Sequence, residues 1–406
     1  MRAVGLITEY NPFHNGHRYH VEQARRCSGA EVVVAVMSGH FVQRGEPALL
    51  DKWTRAQMAL RCGVDVVVEL PFAWACNSAP HFARGAVTAL AAFAPHLDCL
   101  CFGSESGDLE QLRAVAQAVD RLPAASGHLR CGCTFPRHRA TALALTGADE
   151  LLRQPNNILA LAYLRAIAEL DAPLRPLTIA RRGSAYHDIA PGDAAIASAT
   201  AVRRLLADAA SVAAYVPPVV CDLLHNAVAA GLLYDETRWL RMIQQACFTL
   251  APGELYQIDR GMAQRMQRAA FTAASLEELT VAVKARQFTR TRIQRMLCYT
   301  VAALDARQTA AQVRQLPAYL HLLGTTARGE AFLRCCRDDM ALPLVGNYSR
   351  VNAILNRRYG KSGAARHHAD WQLRLDDRMT RLYTLLLPGW QGKSRQWNYY
   401  RQPYRC

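Results

Sequence analysis

The sequence predicts an α/β fold: an N-terminal doubly wound parallel sheet followed by a mostly helical C-terminal part. Three observations carry this expectation. Short, almost uninterrupted β-branched runs recur through the first hundred residues; helical patterns separate them; and after about residue 195 the runs give way to Ala/Leu/Arg-rich helical patterns. A strand that is apolar along its whole length is buried on both faces, as in a parallel sheet covered by helices.

Residues 3–7 (AVGLI) form the first run, which ends in a loop containing Asn11-Pro12 before a helical pattern over 16–26. Residues 31–37 (EVVVAVM) form the second, followed by Ser38-Gly39-His40, and 64–70 (VDVVVEL) the third, bounded by Gly63 and Pro71. The fourth, 98–102, ends at Gly103-Ser104-Glu105, and helical stretches at 52–61 and 82–93 lie between the runs. Ligands of such folds bind beyond the carboxyl ends of the strands, which is where His14, Ser38 and Gly103 fall. Residues 199–213, 219–230 and 276–301 read as helices. A chain of 406 residues fits two domains, and the change of pattern divides it into 1–205, the expected catalytic unit, and 206–406, helical and basic.

Composition narrows the setting. Apolar residues make up 51% and charged residues 20%, enough for buried cores and unlike a disordered chain. Residues 1–209 carry 21 Lys+Arg against 19 Asp+Glu, and 210–406 carry 27 against 14, so +13 of the +15 net charge resides in the second half. That asymmetry points to a polyanionic partner; a GC-rich genome is the competing source, because arginine supplies nearly all of the charge and the only lysines are Lys52, Lys284, Lys361 and Lys393. The 13 cysteines include no C-x-x-C pair, which argues for free thiols, no zinc site and a reducing cytoplasm. An acid at Glu9 interrupts any signal-peptide core, and no apolar run is long enough to span a bilayer.

The residues that carry chemistry are His14-Asn15-Gly16-His17, between the first strand and its helix. A helix start offers unpaired N–H groups and a positive dipole end for nucleotide phosphates, Gly16 admits close approach, and two imidazoles three residues apart can donate to phosphate oxygens. Thr8, Asn11 and Pro12 lie just upstream. H-x-G-H is a weak pattern by itself, and its two histidines could equally be surface or capping residues; its place between strand and helix at the head of the chain favours catalysis. A second element is Ser198-Ala199-Thr200-Ala201-Val202-Arg203, where Ser198 or Thr200 can cap a helix and Arg203, one turn on, can reach a triphosphate; an ordinary cap with a solvated arginine is the plainer reading.

These motifs resemble those of the bacterial tRNA(Met) cytidine acetate ligases, members of the H-x-G-H nucleotidyltransferase superfamily. Residues 7–20 (ITEYNPFHNGHRYH) carry the likeness first, and 37–47 (MSGHFVQRGEP), 51–55 (DKWTR), 69–72 (ELPF), 102–105 (FGSE), 155–159 (PNNIL), 178–181 (TIAR) and 186–188 (YHD) continue it in order. In the second half only 288–295 (FTRTRIQR) echoes it. The resemblance implies ATP contacts from Ile7, Thr8, Glu9, Tyr10, Asn11, Pro12, Phe13, His14, Asn15, Gly16, His17, Arg18, Tyr19 and His20, together with Gly103, Asn156 and Arg181; Asn157, Arg182, Ser198 and Thr200 are further candidates. It implies activation of acetate by ATP as acetyl-adenylate, then transfer to the N4 amine of the wobble cytidine of elongator tRNA(Met). The chain departs from the pattern at Pro80-His81 and at Ala180, which bears on substrate positioning more than on ATP use.

Acetate is ionised at neutral pH, so the first step needs cations and donors on the phosphates rather than a base. His14, His17, Arg203 and Lys52 are the candidates beside Arg181, with Gly16 making room and Mg²⁺ expected on the leaving pyrophosphate. Asp65 and Glu69, in or beside a buried strand, read as ion-pair or strand-end partners. For RNA, Lys284, Arg286, Arg290, Arg292 and Arg295 form an acid-free basic stretch, and the 389–406 tail mixes Trp and Tyr with arginines; a solvated face and a docked tail are the plainer readings. Two other functions stay open: an adenylyltransferase for a small phosphorylated metabolite, and a non-catalytic RNA-binding protein on a nucleotide-binding fold.

Overall fold

The computed structural model describes residues 1–120, 151–181, 196–249, 255–392 and 394–406. Five parallel strands stand in the order β5-β4-β1-β2-β3: β1 (Ala3–Thr8), β2 (Val32–Ser38), β3 (Val66–Leu70), β4 (Leu97–Ser104) and β5 (Arg175–Ala180). Valines 32–34, 36 and 66–68 are fully buried, as their uninterrupted apolar character demands. The first segment of helices is α1 (Asn15–Ser28), α2 (Lys52–Arg61), α3 (Phe72–Ala75), α4 (Ala79–Ala91), α5 (Leu109–Asp120) and α6 (Pro155–Glu169). Asp51 caps α2 by accepting from Trp53 N and Thr54 N, both at 3.0 Å, a contact worth about 1 kcal/mol.

Helices continue with α7 (Ala199–Ala207), α8 (Pro218–Ala229), α9 (Glu236–Thr249), α10 (Arg260–Thr272), α11 (Leu276–Val283), α12 (Arg290–Val301) and α13 (Ala306–Arg314). The stretch 276–301, expected as one helix, is two. Thr289 caps a new start by accepting from Arg292 N, and Phe288 is buried in the connection.

The sequence reading did not foresee that the second half also extends the sheet. Strand β6 (Leu320–Thr325) pairs antiparallel with β3, helix α14 (Ala327–Cys336) follows, and β7 (Leu344–Val345) and β8 (Tyr404–Arg405) both pair parallel with β6. Its sequence, LHLLGT, has one β-branched residue, so nothing local distinguishes it from a leucine-rich helix; burial between β3 and the C-terminal segment imposes the extended form. The last helices are α15 (Val351–Tyr359), the 21-residue α16 (Ala364–Thr384) and α17 (Trp397–Tyr400). The aromatic tail is docked: Trp397 is buried, 4.6 Å from the Trp390 ring and 5.0 Å from Trp53. Among the described residues no helix is long and apolar enough to cross a membrane.

Candidate active site

His14 is the N-cap of α1 and is 4% exposed. Its Nδ1 accepts from Gly16 N at 3.1 Å, and its own N–H donates to His17 Nδ1 at 3.2 Å, closing a capping box made of two histidines. A neutral imidazole that accepts at Nδ1 carries its proton on Nε2, so both rings are held in the same tautomer with Nε2–H as the remaining donor. The rings stack with centroids 3.6 Å apart. Burial, then the Arg181 charge, lowers the His14 pKa to about 3; burial, His14, Arg181 and His20 hold His17 well below its ordinary value. His20, lowered to about 4 by burial and then the Arg181 charge, completes a neutral group. A side chain at Gly16 would press on the His14 ring, its Cβ falling 3.0 Å from Cε1.

One expectation needs correcting. The first N–H groups of α1 are not open to an anion: Asn15 N donates to Tyr215 O, Gly16 N to the His14 ring, and His17 N and Arg18 N to His14 O. The donors that remain at this helix start are the imidazole Nε2–H groups rather than the backbone, while the dipole end keeps its sign.

Across the strand ends lies a second set. Glu105, just beyond β4, lays its carboxylate over the start of α6, accepting from Asn156 N (3.1 Å), Asn156 Nδ2 (2.6 Å) and Asn157 N (2.7 Å). Asn157 is fully buried, accepts from Glu105 N and Ser106 N, and donates to Gln154. It builds the turn, which leaves Asn156 and its 3.4 Å partner Arg181 toward the histidines. Gly103 gives Arg181 passage, since a Cβ there would stand 3.3 Å from Arg181 Cγ. Arg182 lies outside the described residues.

From the other side, Ser198 caps α7 by accepting from Ala201 N, but Arg203, expected to reach a triphosphate, spends its guanidinium on the H-x-G-H loop instead. The Arg203 guanidinium donates to Asn11 O (2.8 Å), Glu46 Oε1 (3.2 Å) and Thr200 Oγ1 (3.3 Å), so it fixes the loop's backbone. Thr8 and Tyr10 are buried, Asn11 Oδ1 accepts from Leu49 N, and Phe13 and Tyr10 pack on the His17 ring. Ile7, Pro12, Arg18 and Tyr19 complete the strand end and first turn.

The structure does not bring Lys52 to this group. It is fully buried two strands away, donating to Glu69 Oε2 at 2.6 Å and to Thr380 of α16 at 3.5 Å. Glu69 also accepts from His321 Nδ1 at 2.8 Å, and Asp65 pairs with Arg25 at 2.7 Å, so both acids have the ion-pair roles expected of them. Beside Glu69, Asp376, Thr380 and His40 line a cavity of about 10 Å³, at the lower limit for one water.

Two arginines matter that sequence reasoning passed over. Arg55, fully buried, donates to the carbonyls of Glu9 (2.6 Å), Ser38 (3.1 Å), Gly39 and Leu50, tying the loops after β1 and β2 together. Arg44 stands exposed on a turn anchored by Gln43 N to Glu9 Oε1 (2.8 Å) and Gly45 N to Val42 O (2.9 Å). Its charge acts on both Glu9 and Arg181. The signal available was the Gln43-Arg44-Gly45 turn itself, where Gly45 adopts φ +85° and a Cβ would collide with the Arg295 backbone.

The basic stretch is divided by the fold. Lys284 and Arg286 are exposed, Arg290 forms a two-pronged pair with Glu277, and Arg292 lies 4.6 Å over the Phe288 ring. Arg295 is 8% exposed and donates to Gln43 O at 3.3 Å, so it belongs to the contact between α12 and the Arg44 turn rather than to the surface.

Comparison with known proteins agrees with this geometry. The HIGH Nucleotidyl Transferase family matches residues 1–397. A tRNA(Met) cytidine acetate ligase of Syntrophotalea carbinolica is 48% identical, covering 99% of this chain and 98% of its own; that of Syntrophomonas wolfei is 37% identical, covering 96% and 95%. The crystal structure of Thermotoga maritima TmcAL bound with alpha-thio ATP superposes with a TM-score of 0.88 at 29% identity, over the whole of both chains. By sequence along nearly its full length, by fold and by the histidine pair at its first helix, the chain belongs to the HIGH nucleotidyl transferases and, within them, to the tRNA(Met) cytidine acetate ligase family.

Proposed function

We propose that this protein is an ATP-dependent tRNA(Met) cytidine acetate ligase: acetate attacks the α-phosphorus of ATP to give acetyl-adenylate and pyrophosphate, and the N4 amine of the wobble cytidine of elongator tRNA(Met) then takes the acetyl group, releasing AMP and a proton. The observation that carries this reading is the pair of stacked imidazoles, both locked as Nε2–H donors at the start of α1 and facing the Asn156–Arg181 set. Neutral donors and guanidinium charges aimed at a polyphosphate stabilise the charge that grows on the leaving pyrophosphate.

Each residue has a stated task. His14 and His17 donate to phosphate oxygens, Arg181 and Arg44 supply formal charge, Asn156 orients Arg181, and Gly16 and Gly103 keep the approach open. Arg203 and Arg55 hold the loops. Among the described residues no group of three or more His, Cys, Asp or Glu side chains is suited to hold a metal, so Mg²⁺ would arrive on the triphosphate, where it offsets phosphate charge. Lys284, Arg286, Arg290 and Arg292 offer phosphate-backbone contacts to tRNA. The basic helical half favours this over a small-molecule adenylyltransferase, whose substrate needs no such surface.

The test is incubation with ATP and radiolabelled acetate, with and without bulk tRNA. Acetate-dependent pyrophosphate release with label in tRNA is expected. Binding of tRNA with no ATP turnover would overturn the enzymatic reading, and turnover with label only in small molecules would overturn the RNA substrate.

A further inference from the structure

Helices α9 and α10 pack side by side and carry an exposed aromatic pair. Phe248 is 49% exposed and Phe271 71%, yet their rings stack on each other, centroids 5.1 Å apart and planes 20° from parallel. Two large apolar rings left in water at adjacent helix ends cost free energy unless something covers them. The surrounding charge indicates what. Helices α9 and α10 carry five exposed arginines, Arg238, Arg241, Arg260, Arg265 and Arg268, and their acids, Glu236 and the N-cap Asp259, stand at the helix ends away from the rings. Arg241 lies two turns before Phe248, and Arg268 one turn before Phe271, so each ring shares its helix face with a guanidinium. Gln244 holds the two helices in register, donating to Ala270 O (3.1 Å) and Ala273 O (3.0 Å) on either side of Phe271.

We infer that Phe248 and Phe271 form a stacking platform for unpaired nucleobases of a bound RNA, with Arg241 and Arg268 neutralising the phosphates that flank those bases. An apolar protein partner would meet the guanidiniums of Arg241 and Arg268 on the faces that carry the rings, whereas a single-stranded RNA loop presents π faces and phosphates together. The platform uses other residues than the Lys284–Arg292 stretch, which it adjoins where Arg265 donates to Lys284 O at 3.4 Å, and it rests on the RNA-ligase reading above.

The chemistry separates the two kinds of contact. Base stacking displaces no counterions, while each phosphate contact adds to the salt dependence. The F248A/F271A double variant should therefore bind tRNA about tenfold more weakly, or worse, with the slope of log Kd against log salt unchanged; F248Y/F271Y, which keeps both rings, should bind as the parent does. The R241Q/R268Q variant should weaken binding and flatten the slope. Acetate-dependent pyrophosphate release without tRNA, measured on the same samples, checks that the catalytic half is intact. Parent-like tRNA affinity in F248A/F271A overturns the platform, as does a parent protein that sediments as a dimer and an alanine variant that sediments as a monomer with unchanged affinity. A parent that never acetylates tRNA would instead sink the ligase reading, a result read independently of the variants.

Discussion

Two polar clusters sit at the carboxyl ends of β1 and β3, on either side of β2, and they differ in what their side chains have left to offer. Beyond β1, His14 and His17 use one ring nitrogen each on the helix cap and keep the other as a donor. Beyond β3, Lys52, Glu69 and His321 are buried together and bonded to one another, and Asp376 and Thr380 of α16 close over them. Burial alone would raise the Glu69 pKa; Lys52 and His321 more than reverse that and hold it at about 2. The same residue types thus keep donors free in one place and fasten the helical half to the sheet in the other. Lone functional groups are not what separates a site from a joint; unspent donors are.

That distinction fails if Lys52 behaves as a catalytic group. Lys52→Met leaves Glu69 buried with less compensation, a loss of about 3–5 kcal/mol of stability, while the folded fraction should bind ATP as the parent does. Burial, then Lys52, lowers the His321 pKa to about 4; without Lys52 the ring can protonate against Glu69, so the loss should shrink between pH 8 and pH 6. Urea unfolding at the two pH values reads this directly. A stable variant that has lost ATP turnover would return Lys52 to the active site. His17→Ala should do the opposite, lowering acetate-dependent turnover by about 10²–10³ with tRNA affinity within twofold. His17→Asn offers the cap an acceptor but no equivalent of Nε2–H, and it should be equally inactive; recovery of turnover in it would show that the ring acts only through the cap.

A smaller effect sharpens the joint. Burial and then the Glu69 charge raise the Asp376 pKa to about 7, although it accepts from Phe72 N at 3.0 Å and Tyr319 at 3.3 Å. Because the folded-state value lies above the unfolded one, the native protein binds the extra proton between about pH 4 and 7. This contribution is complete at the acid end and is lost as pH rises through 7. Asp376→Asn should remove that part of the pH dependence and unfold at nearly the same urea concentration at pH 5.5 and 8. A variant as pH-sensitive as the parent would assign the slope to another group.

The parallel sheet and the H-x-G-H site were legible because both are local. Valine runs declare buried strands, and a histidine pair between strand and helix declares its position. Strand β6 was not, since Leu320–Thr325 becomes a strand only through β3. Lys52 misled for a related reason. Its isolation as the sole lysine of the first half suggested catalysis, but its partners Glu69 and Thr380 are 17 and 328 residues away, distances at which sequence pattern says nothing. Arg44 was missed in the opposite way: its motif was visible, whereas the exposure that gives it a role is a property of the folded turn. The unpaired N–H groups assumed at α1 were wrong because His14 itself occupies one of them, a second use of the ring that the spacing alone does not reveal.

The same rule about spent and unspent groups extends to the basic stretch, where its effect should be smallest. Arg290 shares its charge with Glu277, and Arg292 rests on Phe288, while Lys284 and Arg286 stand exposed in the connection before α12. Exchanging Lys284 and Arg286 for glutamate should therefore weaken tRNA binding more, and flatten its salt dependence more, than the same exchange at Arg290 and Arg292. Each lost phosphate contact lowers the slope by about one and affinity by up to about tenfold at low salt. Filter binding across a salt series measures both. Equal losses from the two pairs would show that RNA recruits Arg290 away from Glu277, and an unchanged slope in both would take this segment off the RNA surface, leaving the α9–α10 face to account for the charge of the second half.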